Sequence, residues 1–290
     1  MRCDNFAVFI LTHGRAKNVI TVKTLHELGF TGKYYIVIDD EDDQEDEYRK
    51  IYGDKVIQFC KKDIAETFDT MDLSDDRRTI VYARNACFQI AKSLGVRYFL
   101  ELDDDYTDFQ FRWIDGGHLL IEQVKDLDSL FYAMVEFLKD TKADTVALSQ
   151  GGDFIGGAEN SRLQQEVLRK AMNSFFCDSE RPFQFIGRIN EDVNTYTRLG
   201  STGWIALTIT KCMLTQKQTQ ANKGGMSNVY LDSGTYLKSF YTVMAMPSCV
   251  KICEMGDKSR RIHHSVSWDN CVPKILNEKW KKQKTKVTTI

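Results

Sequence analysis

Proline is scarce in this chain: only Pro182, Pro247 and Pro273 occur among its 290 residues. A proline-rich linker between independent domains is therefore excluded. Long hydrophobic runs are also absent, since the first apolar stretch covers only residues 6–11. Such a stretch is too short for a secretory signal or a membrane span. We therefore expect a cytoplasmic protein with no membrane partner.

Cysteine motifs are missing as well. The chain has eight cysteines, but no two of them form a CxxC pair. Zinc-knuckle spacing is thus absent, and a disulfide framework is not expected in a chain of this size without a secretory signal. We expect reduced and mostly buried thiols.

Neither sign of charge dominates, because 39 Lys and Arg residues face 41 Asp and Glu residues, for a net charge of −2. This balance argues against a protein that coats DNA by bulk electrostatics, although it allows a local basic patch. With 42% hydrophobic and 28% charged residues, the composition is typical of a soluble globular enzyme and excludes dominant disorder. Acidic residues concentrate at 39–47 and 101–108, and basic residues at 258–261 and 279–286.

Strand and helix patterns alternate over the first 105 residues, which predicts a parallel sheet with helices on both faces. The predicted strands are 6–11, 33–38, 55–59 and 96–102, and the predicted helices are 16–28, 45–52 and 79–94. The length corresponds to one large domain or two small ones. We expect a single domain over 1–290, with a nucleotide-binding half (1–110), a mixed acceptor-binding half (111–275) and a basic tail (276–290).

The second half is less regular. Its patterns predict an edge strand at 107–113, a helix at 126–139, a strand at 144–149, a glycine-rich loop at 150–157, helices at 191–199 and 230–243, and a polar loop at 215–228. We find no internal repeat. The glycine-rich loop is not a GxGxxG fingerprint, so it does not predict dinucleotide binding.

Unusual polar residues follow three of the predicted strands: Thr12-His13-Gly14-Arg15, Asp39-Asp40 and Asp103-Asp104-Asp105. Open α/β sheets bind ligands in the crevice outside the carboxyl ends of their strands. The three strand ends therefore predict one polar pocket that contains both cations and carboxylates. Asp39 can accept from a uracil imide or a ribose hydroxyl, whereas Glu41 to Glu47 are explained as a solvated acidic stretch.

The Asp103–Asp105 run follows a buried strand, which favours a site for a hard cation over a solvated acidic turn. Mg²⁺ and Mn²⁺ take a few carboxylate oxygens and share their remaining positions with water and substrate phosphates. Arg84 lies on the preceding helix and suits bidentate phosphate recognition. The alternative for Arg84 is an ordinary surface arginine.

Three further groups have both a functional and a structural explanation. Gly151 and Gly152 allow close backbone approach to a sugar or phosphate, or belong to a flexible surface loop. Glu191 and Asp192 start a helix, where carboxylates cap the dipole, or one of them acts as general base for an acceptor hydroxyl. The adjacent pair His263-His264 suggests a ligand, although strand alternation lets only one of them face a site.

Four stretches resemble a GT-A glycosyltransferase in their order along the chain: Phe9–Arg15, Val37–Asp39, Tyr82–Asn85 and Phe99–Asp105. In that fold a first strand, an aspartate after a later strand, an arginine on a helix and a DxD motif bind a nucleotide-sugar. Glu191-Asp192 is similar to the xED motif of the fold. A late histidine commonly supplies another metal ligand, and His263 or His264 matches it in position.

The chain from about residue 5 to 276 more closely resembles the TET/JBP-associated glycosyltransferase family. The stretches that carry this resemblance are Thr12–Arg15, Asp76–Asn85, Leu102–Asp108, Gly151–Gly157, Met172–Cys177, Pro182–Thr197, Gln216–Gly225, Tyr230–Tyr241 and Met246–Ile252. Members are encoded largely by bacteriophages and are implicated in adding sugars to hydroxymethylated pyrimidines in phage DNA. A phage-encoded member would act in the host cytoplasm.

This resemblance implies a GT-A-like, Rossmann-type α/β fold and transfer of a sugar from a UDP-sugar to 5-hydroxymethylpyrimidine in DNA, with 5-hydroxymethylcytosine the first candidate. The implied cofactor is Mn²⁺ or Mg²⁺. Nucleotide-sugar binding is expected of Thr12, His13, Gly14, Arg15, Asp39, Arg84, Asp103, Asp104, Gly151 and Gly152. Metal binding is expected of Asp103, Asp105, His263 and His264, and catalysis of Asp192 and Glu191.

Three alternatives stay open at this point. A GT-A enzyme can act on a protein or a polysaccharide, and a metal-dependent nucleotidyltransferase also has acidic strand ends. A non-catalytic module of the same fold is the third, although intact Asp103, Asp105 and Asp192 speak against degeneration. The donor sugar, the stereochemistry, the acceptor base and the oligomeric state do not follow from the sequence.

Overall fold

A long mixed sheet is the main feature of the computed structural model, which describes residues 5–154, 157–161, 164–216, 236–256 and 260–271. The strands are β1 Phe6–Leu11, β2 Lys33–Asp39, β3 Val56–Phe59, β4 Tyr98–Asp103, β5 Tyr106–Asp115, β6 His118–Gln123, β7 Thr145–Ser149, β8 Val167–Leu168, β9 Phe175–Asp178, β10 Ala206–Gln216, β11 Val250–Met255 and β12 Arg261–Val266. The helices are α1 Ile20–Glu27, α2 Glu45–Tyr52, α3 Lys61–Ala65, α4 Val81–Ser93, α5 Leu127–Thr141, α6 Glu191–Gly200 and α7 Leu237–Ala245.

The strands of the large sheet follow the order β3-β2-β1-β4-β9-β7-β10-β5-β6, and β8 pairs with β10. The first four strands are parallel to one another. β9 is antiparallel to both β4 and β7, so those two strands run in the same direction. β11 and β12 form a separate antiparallel hairpin. The sheet thus joins the sequences of both halves of the chain.

β1 lies between β2 and β4, and all six of its residues are buried. Successive strand side chains point to opposite faces, so a continuous apolar run suits a strand that is covered on both sides. Val8 and Ile10 pack in the cluster that contains residues of α1 and α5. Ala7 and Phe9 pack in the cluster that contains residues of α4. The predicted fold class, an α/β sheet with helices on both faces, is confirmed.

Several boundaries and elements differ from the sequence prediction. The predicted helix 16–28 begins as a 3₁₀ turn at Ala16–Asn18, and the α-helix covers only Ile20–Glu27. Thr215 and Gln216, predicted as loop, belong to β10, and the rest of that predicted loop lies outside the described residues. The strands and helices that the sequence patterns missed are α3, β6, β8, β9, β10, β11 and β12.

The described cysteines are free thiols, as expected. Most of them are buried, namely Cys87, Cys177, Cys212, Cys249 and Cys271. The Sγ atoms of Cys249 and Cys271 lie 2.6 Å apart. In the part of the chain that the structure describes, no helix combines the length and the hydropathy that crossing a bilayer requires.

Candidate active site

The carboxyl ends of β1, β2 and β4 lie side by side, as the sequence predicts. Leu11, the last residue of β1, pairs with Val37 of β2 and with Asp103 of β4. The backbone N–H of Thr12 continues this pairing and donates to the Val37 carbonyl at 3.2 Å. The segments after the three strands therefore meet at one edge of the sheet, and they form two linked clusters there.

Asp104 is the centre of the first cluster. Its Oδ2 accepts from the Thr12 hydroxyl at 2.6 Å, and its Oδ1 accepts from Arg15 Nη1 at 2.8 Å. The hydroxyl of Tyr48 is 3.0 Å from Thr12 Oγ1 and accepts from the Arg15 backbone N–H at 2.8 Å. Burial raises the pKa of Asp104, although Arg15 opposes the shift. Both oxygens of Asp104 thus fix Thr12 and Arg15, and the predicted contact of Asp104 with the donor stays a prediction.

The second cluster surrounds Asp39 at the end of β2. His13 Nδ1 is 2.9 Å from Asp39 Oδ2, and Nζ of the buried Lys61 is 3.0 Å from Oδ1. Burial alone would raise the pKa of Asp39, but the bonds from His13 and Lys61 outweigh it and the pKa is lowered. The bond to Asp39 raises the pKa of His13. A fixed carboxylate therefore lies beside a half-exposed imidazole at the cleft.

Asp42 corrects the sequence prediction of a wholly solvated acidic stretch. It is buried, and its Oδ2 accepts from the backbone N–H of Gly14 at 2.8 Å. Gly14 has a φ of +66°, a conformation in which glycine avoids the strain of other residues. Gln44 completes the contact, because its Nε2 donates to the Gly14 carbonyl at 3.1 Å. Asp42 therefore helps to shape the turn that carries His13 and Arg15.

Arg84 joins the Asp103–Asp105 run to the start of α6. Its side chain is only 2% exposed; Nε lies 3.0 Å from Glu191 Oε1 and Nη2 lies 3.2 Å from Asp103 Oδ1. Nη1 is 3.6 Å from Oε2 of the buried Glu101. One guanidinium thus contacts three carboxyl groups, which together would carry an excess of negative charge when all are ionised. The structure directs Arg84 at these carboxylates; its predicted contact with the donor stays a prediction.

Burial of these carboxylates disfavours their charged forms. It raises the pKa of Glu101 to about 8 and that of Asp103 to about 7, even though Arg84 pulls both values down. Asp103 keeps a partly exposed side chain, and Asp105 is half-buried. The region is therefore one in which an additional cation would be stabilised.

Asp192 lies in the first turn of α6, after Asn190, whose φ is +61°. The Asp192 side chain is buried, and its Oδ1 accepts from the backbone N–H of Val193 at 2.7 Å. Burial, followed by the charge of Glu191, raises the pKa of Asp192 to about 7. A carboxylate with such a pKa can exchange a proton near neutral pH. The bonds from Glu191, its neighbour in the chain, through Arg84 to Asp103 connect the start of α6 to the strand ends.

Hydrogen bonds fix α7 and the loop before α4 around the start of α6. Arg188 Nε donates to Asp72 Oδ2 at 2.6 Å, and the Tyr241 hydroxyl bonds the same oxygen. Asn190 Nδ2 donates to the hydroxyl of Thr242. Residues of α7 therefore bond directly to the residues that precede Glu191 and Asp192.

His263 and His264 are consecutive residues of β12, opposite Cys253 and Ile252 of β11. The backbone N–H of His264 donates to His263 Nδ1 at 2.7 Å. Burial, and then the charges of His263 and Lys238, lower the pKa of His264 to about 4. Among the described residues no group of three or more His, Cys, Asp or Glu side chains is arranged to hold a metal ion. The ligand role of either histidine thus stays a prediction.

Asp103 and Asp105 themselves fit a divalent cation of the hard type. Mg²⁺ is usually held by one or two carboxylates together with substrate phosphates and waters, so two aspartates at a strand end are a sufficient protein contribution. The surplus of carboxylates over cations around Arg84 supports the same conclusion. No further protein ligand is required for this fit.

Gly151 and Gly152 follow β7, whose carboxyl end lies at the same edge of the sheet as that of β4. Both glycines are exposed, and a Cβ atom at either position would meet nothing within 4 Å. Packing therefore does not require glycine at these positions. The next residue, Asp153, is buried and paired with Lys170. A role of the two glycines in donor binding stays a prediction.

The sequence interpretation missed Tyr48, Lys61 and Glu101. Tyr48 gave a signal, since it is an aromatic residue directly among Glu, Asp and Arg neighbours, and the structure buries it. Lys61 and Glu101 are charged residues that are buried because tertiary partners surround them. No local pattern distinguishes such residues from exposed ones.

Similarity to known proteins identifies the family to which the chain belongs. The sequence model of the TET-Associated Glycosyltransferase family matches residues 6–225. No curated protein sequence matches the chain significantly. Among solved structures, a Mycobacterial protein is similar at 11% identity and a TM-score of 0.48, covering 90% of this chain and 84% of that one.

Two further solved structures are similar at lower TM-scores. Glucosyl-3-phosphoglycerate synthase from Mycobacterium tuberculosis, in complex with Mn²⁺ and UDP-glucose, is similar at 9% identity and a TM-score of 0.46 over 89% of this chain and 86% of that one. S. aureus TarS is similar at 12% identity and a TM-score of 0.40, over 73% of this chain and 36% of that one. Values this low support no conclusion about substrates. The family match, by contrast, covers most of the chain, and the chain belongs to the TET-associated glycosyltransferase family.

Proposed function

We propose that this glycosyltransferase moves a sugar from a UDP-sugar to the hydroxyl of a 5-hydroxymethylpyrimidine in DNA, with 5-hydroxymethylcytosine the first candidate. The observation that carries the proposal is the bonded path from Asp103 through Arg84 to Glu191, beside Asp192. This path joins carboxylates suited to the donor diphosphate with a carboxylate suited to an acceptor hydroxyl. The name of the family supports a DNA acceptor.

On the donor side, Thr12, Arg15 and Asp39 hold the nucleoside in this proposal. Asp104 and Tyr48 fix Thr12 and Arg15, and His13 and Lys61 fix Asp39, so all three side chains are preorganised. Preorganised polar groups pay less ordering entropy when a ligand binds. Asp42 supports the same loop through the Gly14 backbone.

Asp103 and Asp105 would hold Mn²⁺ or Mg²⁺ against the diphosphate. When bound, the metal supplies a positive charge that stabilises the leaving diphosphate. Arg84 keeps Asp103 in place through its 3.2 Å contact and neutralises part of the carboxylate charge. Its burial makes this an indirect contribution of the guanidinium to donor binding.

Asp192 acts on the acceptor. In an inverting reaction its carboxylate takes the proton of the hydroxymethyl group while the oxygen attacks the anomeric carbon and the bond to UDP breaks. In a retaining reaction it orients the acceptor or the sugar instead. A pKa of about 7 keeps a substantial fraction of Asp192 ionised at neutral pH, which both roles need.

Mass spectrometry tests the proposal most directly. DNA that contains 5-hydroxymethylcytosine is incubated with the enzyme, a divalent metal and a panel of UDP-sugars, and unmodified DNA of the same sequence is the control. We expect the mass of one sugar to be added to the modified base only. Transfer to a protein or polysaccharide, with no DNA product for any donor, would overturn the DNA assignment and leave the glycosyltransferase assignment intact.

The metal assignment is tested by Asp105→Ala. We expect this variant to lose turnover and the Mn²⁺-dependent gain in UDP affinity, while its melting temperature stays near that of the wild type. Asp43→Ala is the matched control, because Asp43 is an exposed residue of the acidic stretch after β2. A fully active Asp105→Ala enzyme would show that the metal assignment is wrong.

A further inference from the structure

Two cysteine thiols that are distant in the sequence meet at the base of the β11–β12 hairpin. The Sγ atoms of Cys249 and Cys271 lie 2.6 Å apart, although 22 positions separate the two residues in the chain. Both residues are buried, with exposed fractions of 2% and 3%. They belong to one small apolar cluster, against which Met246 and Val266 pack. The fold therefore holds two sulfur atoms in direct contact and away from solvent.

Backbone hydrogen bonds hold both cysteines in this place. The N–H of Cys249 donates to the carbonyl of Met246, directly after α7, at 3.1 Å. The carbonyl of Cys249 accepts from the N–H of Ser267 at 2.7 Å, and the N–H of Cys271 donates to the Trp268 carbonyl at 3.1 Å. The main chain thus fixes the positions of both residues, and burial restricts the rotation of their side chains. The contact between the sulfurs is therefore a consequence of the fold.

A metal ion between the two sulfurs does not fit this geometry. Zinc–sulfur bonds are about 2.3 Å long, and tetrahedral angles then separate two thiolates on one ion by more than about 3.5 Å. In the part of the chain that the structure describes, His, Cys, Asp and Glu side chains form no group of three or more that could hold a metal. The 2.6 Å contact instead suits a pair of sulfurs that can bond to each other.

We propose that Cys249 and Cys271 are a disulfide site, joined when the chain folds in the presence of a small-molecule disulfide such as oxidised glutathione. The thiolate of one cysteine attacks oxidised glutathione and releases one reduced glutathione, and the other cysteine then displaces the second. The two cysteines lose two electrons and two protons, and the two glutathione sulfurs gain them. The fold favours this bond because it brings the two sulfurs together.

Burial decides when the bond can form. Burial, and then the hydrogen bond with Cys249, raise the pKa of Cys271 to about 12. The thiolate is the reactive form, and buried thiols are inert. We therefore expect the disulfide to form during folding, while the thiols are accessible, and to be protected from reductants in the folded protein.

The disulfide would brace two helices beside Asp192. Cys249 follows α7, and Cys271 follows the 3₁₀ turn Trp268–Asn270. The ring of Trp268 stacks on Tyr196 of α6, with centroids 5.6 Å apart. A bond between the two sulfurs closes the chain from residue 249 to residue 271, and it therefore links the end of α7 to the segment that packs on α6. Closing a loop of this length removes conformational freedom from the unfolded chain.

Peptide mapping tests the site directly. The full-length protein is unfolded with urea and dithiothreitol, refolded in a mixture of oxidised and reduced glutathione, treated with iodoacetamide and digested with trypsin. Cys249, Cys253 and Cys271 fall on separate tryptic peptides, 239–251, 252–258 and 262–274. We expect peptides 239–251 and 262–274 to be joined, with their summed mass lowered by two hydrogen atoms. Peptide 252–258 should carry the alkyl group and serves as the internal control.

Melting temperatures give a second measurement. Wild-type protein refolded with oxidised glutathione should melt about 5–10 °C higher than protein kept in dithiothreitol. Cys249→Ala and Cys271→Ala should lose this difference between the two conditions. Cys253→Ala should keep it, because Cys253 lies on the same hairpin opposite His263 and outside the buried pair. Each variant is compared with itself in the two conditions, so a loss of packing in the variant does not affect the result.

The outcomes decide the inference without any assay of sugar transfer. Recovery of Cys249 and Cys271 as alkylated thiols from the refolded protein, or a link from either of them to Cys253, would show that the disulfide site is wrong. Protein purified without reductant and mapped without unfolding provides the same test if refolding fails. Joined peptides with a melting temperature that does not respond to oxidation would contradict the bracing of the two helices.

Discussion

At the scale of single residues, Arg84 is the cation that offsets the repulsion among the carboxylates of the site. It is fully buried, contacts Glu101, Asp103 and Glu191, and lies over the ring of Phe175 at 4.7 Å. Burying an ion costs several kcal/mol, which geometry and partners must offset. The arrangement is therefore sensitive to the loss of the one cation that several anions share.

Replacing Arg84 by Met tests this sensitivity. The variant leaves buried carboxylates without a cation, so we expect a loss of about 3–5 kcal/mol in the free energy of unfolding. Those carboxyls bind more protons in the folded than in the unfolded chain, because burial raises the pKa of Asp103 to about 7 and of Glu101 to about 8. Stability should therefore fall as pH rises toward 8, and more steeply in the variant.

Urea unfolding at pH 6 and pH 8 measures both effects. Lys211→Met is the control, because Lys211 is 54% exposed and pairs with Glu166, which is 76% exposed. Exposed ion pairs contribute about 1 kcal/mol or less. Equal losses in the two variants would show that the buried network contributes no more than an exposed ion pair.

Asp192 gives a second prediction at this scale, for the pH dependence of the reaction. A base must be ionised to accept a proton, so kcat/KM should fall as pH decreases through about 7, the pKa to which burial raises Asp192. Asp192→Asn should lower the rate by about 10²–10⁴-fold and remove this limb of the profile.

Initial rates between pH 5 and 9, with saturating donor, provide the measurement. Asp46→Asn, an exposed residue of α2, should keep the wild-type profile. A wild-type rate that stays flat across this range, or an active Asp192→Asn enzyme, would exclude Asp192 as the base.

At the scale of elements, the sequence predicts a strand best where both of its faces are buried and its apolar residues are consecutive. β1 matches its predicted bounds because an unbroken apolar run is covered on both faces. β9 and β10 were missed because their register depends on neighbours that are distant in sequence, such as the pairing of Leu100 with Phe176. A strand of four residues like β9 has too few positions to show a period.

The same contrast holds for the site. The meeting of the three strand ends follows from the strand order, which the alternation of strands and helices indicates. The different contacts of Asp103, Asp104 and Asp105 do not follow from the strand order. They depend on Thr12 and Arg15, which reach Asp104 from another segment of the chain. Burial of Asp42 likewise follows from its contact with Gly14, and the sequence shows only one more acidic residue in a charged stretch.

The loop that Asp72 fixes provides a prediction for an element. Asp72 accepts from Arg188 at 2.6 Å and also bonds Tyr241, so it ties residues 69–78 to the start of α6 and to α7. Asp72→Ala removes the 2.6 Å partner of the buried Arg188 and leaves it only the longer contacts with Tyr241 and Asp76, so we expect a cost of about 1–3 kcal/mol. We expect faster amide exchange in residues 69–78 and 237–245, together with a higher KM for the acceptor.

Hydrogen exchange followed by mass spectrometry reports this local opening. Asp75→Ala is the matched control, since Asp75 is exposed on the same loop. If both variants exchange like the wild type, the loop is held by other contacts. The backbone bonds of Gly187 to Asp69 and of Arg188 to Thr70 would then be the first to consider.

At the scale of the whole molecule, the net charge of −2 conceals an uneven distribution. Carboxylates crowd the strand ends at Asp39 and Asp103–Asp105, whereas residues 236–253 hold lysines without acids. The strand ends of the site therefore suit a cation. A chain with this overall balance gains little from bulk attraction to DNA, so the few local cations must set its salt dependence.

This balance predicts DNA affinity that is modest and only moderately sensitive to salt. For single strands, log K falls with log salt at a slope of about 0.7 per phosphate neutralised. If each of Lys238 and Lys251 neutralises one phosphate, replacing both by Gln should thus reduce the slope by about 1.4. Anisotropy titrations at several salt concentrations measure the slope, with the exposed pair Lys50 and Lys92 changed to Gln as control. A wild-type slope above about 5, or one that the Lys238 and Lys251 changes leave intact, would assign binding to a different surface.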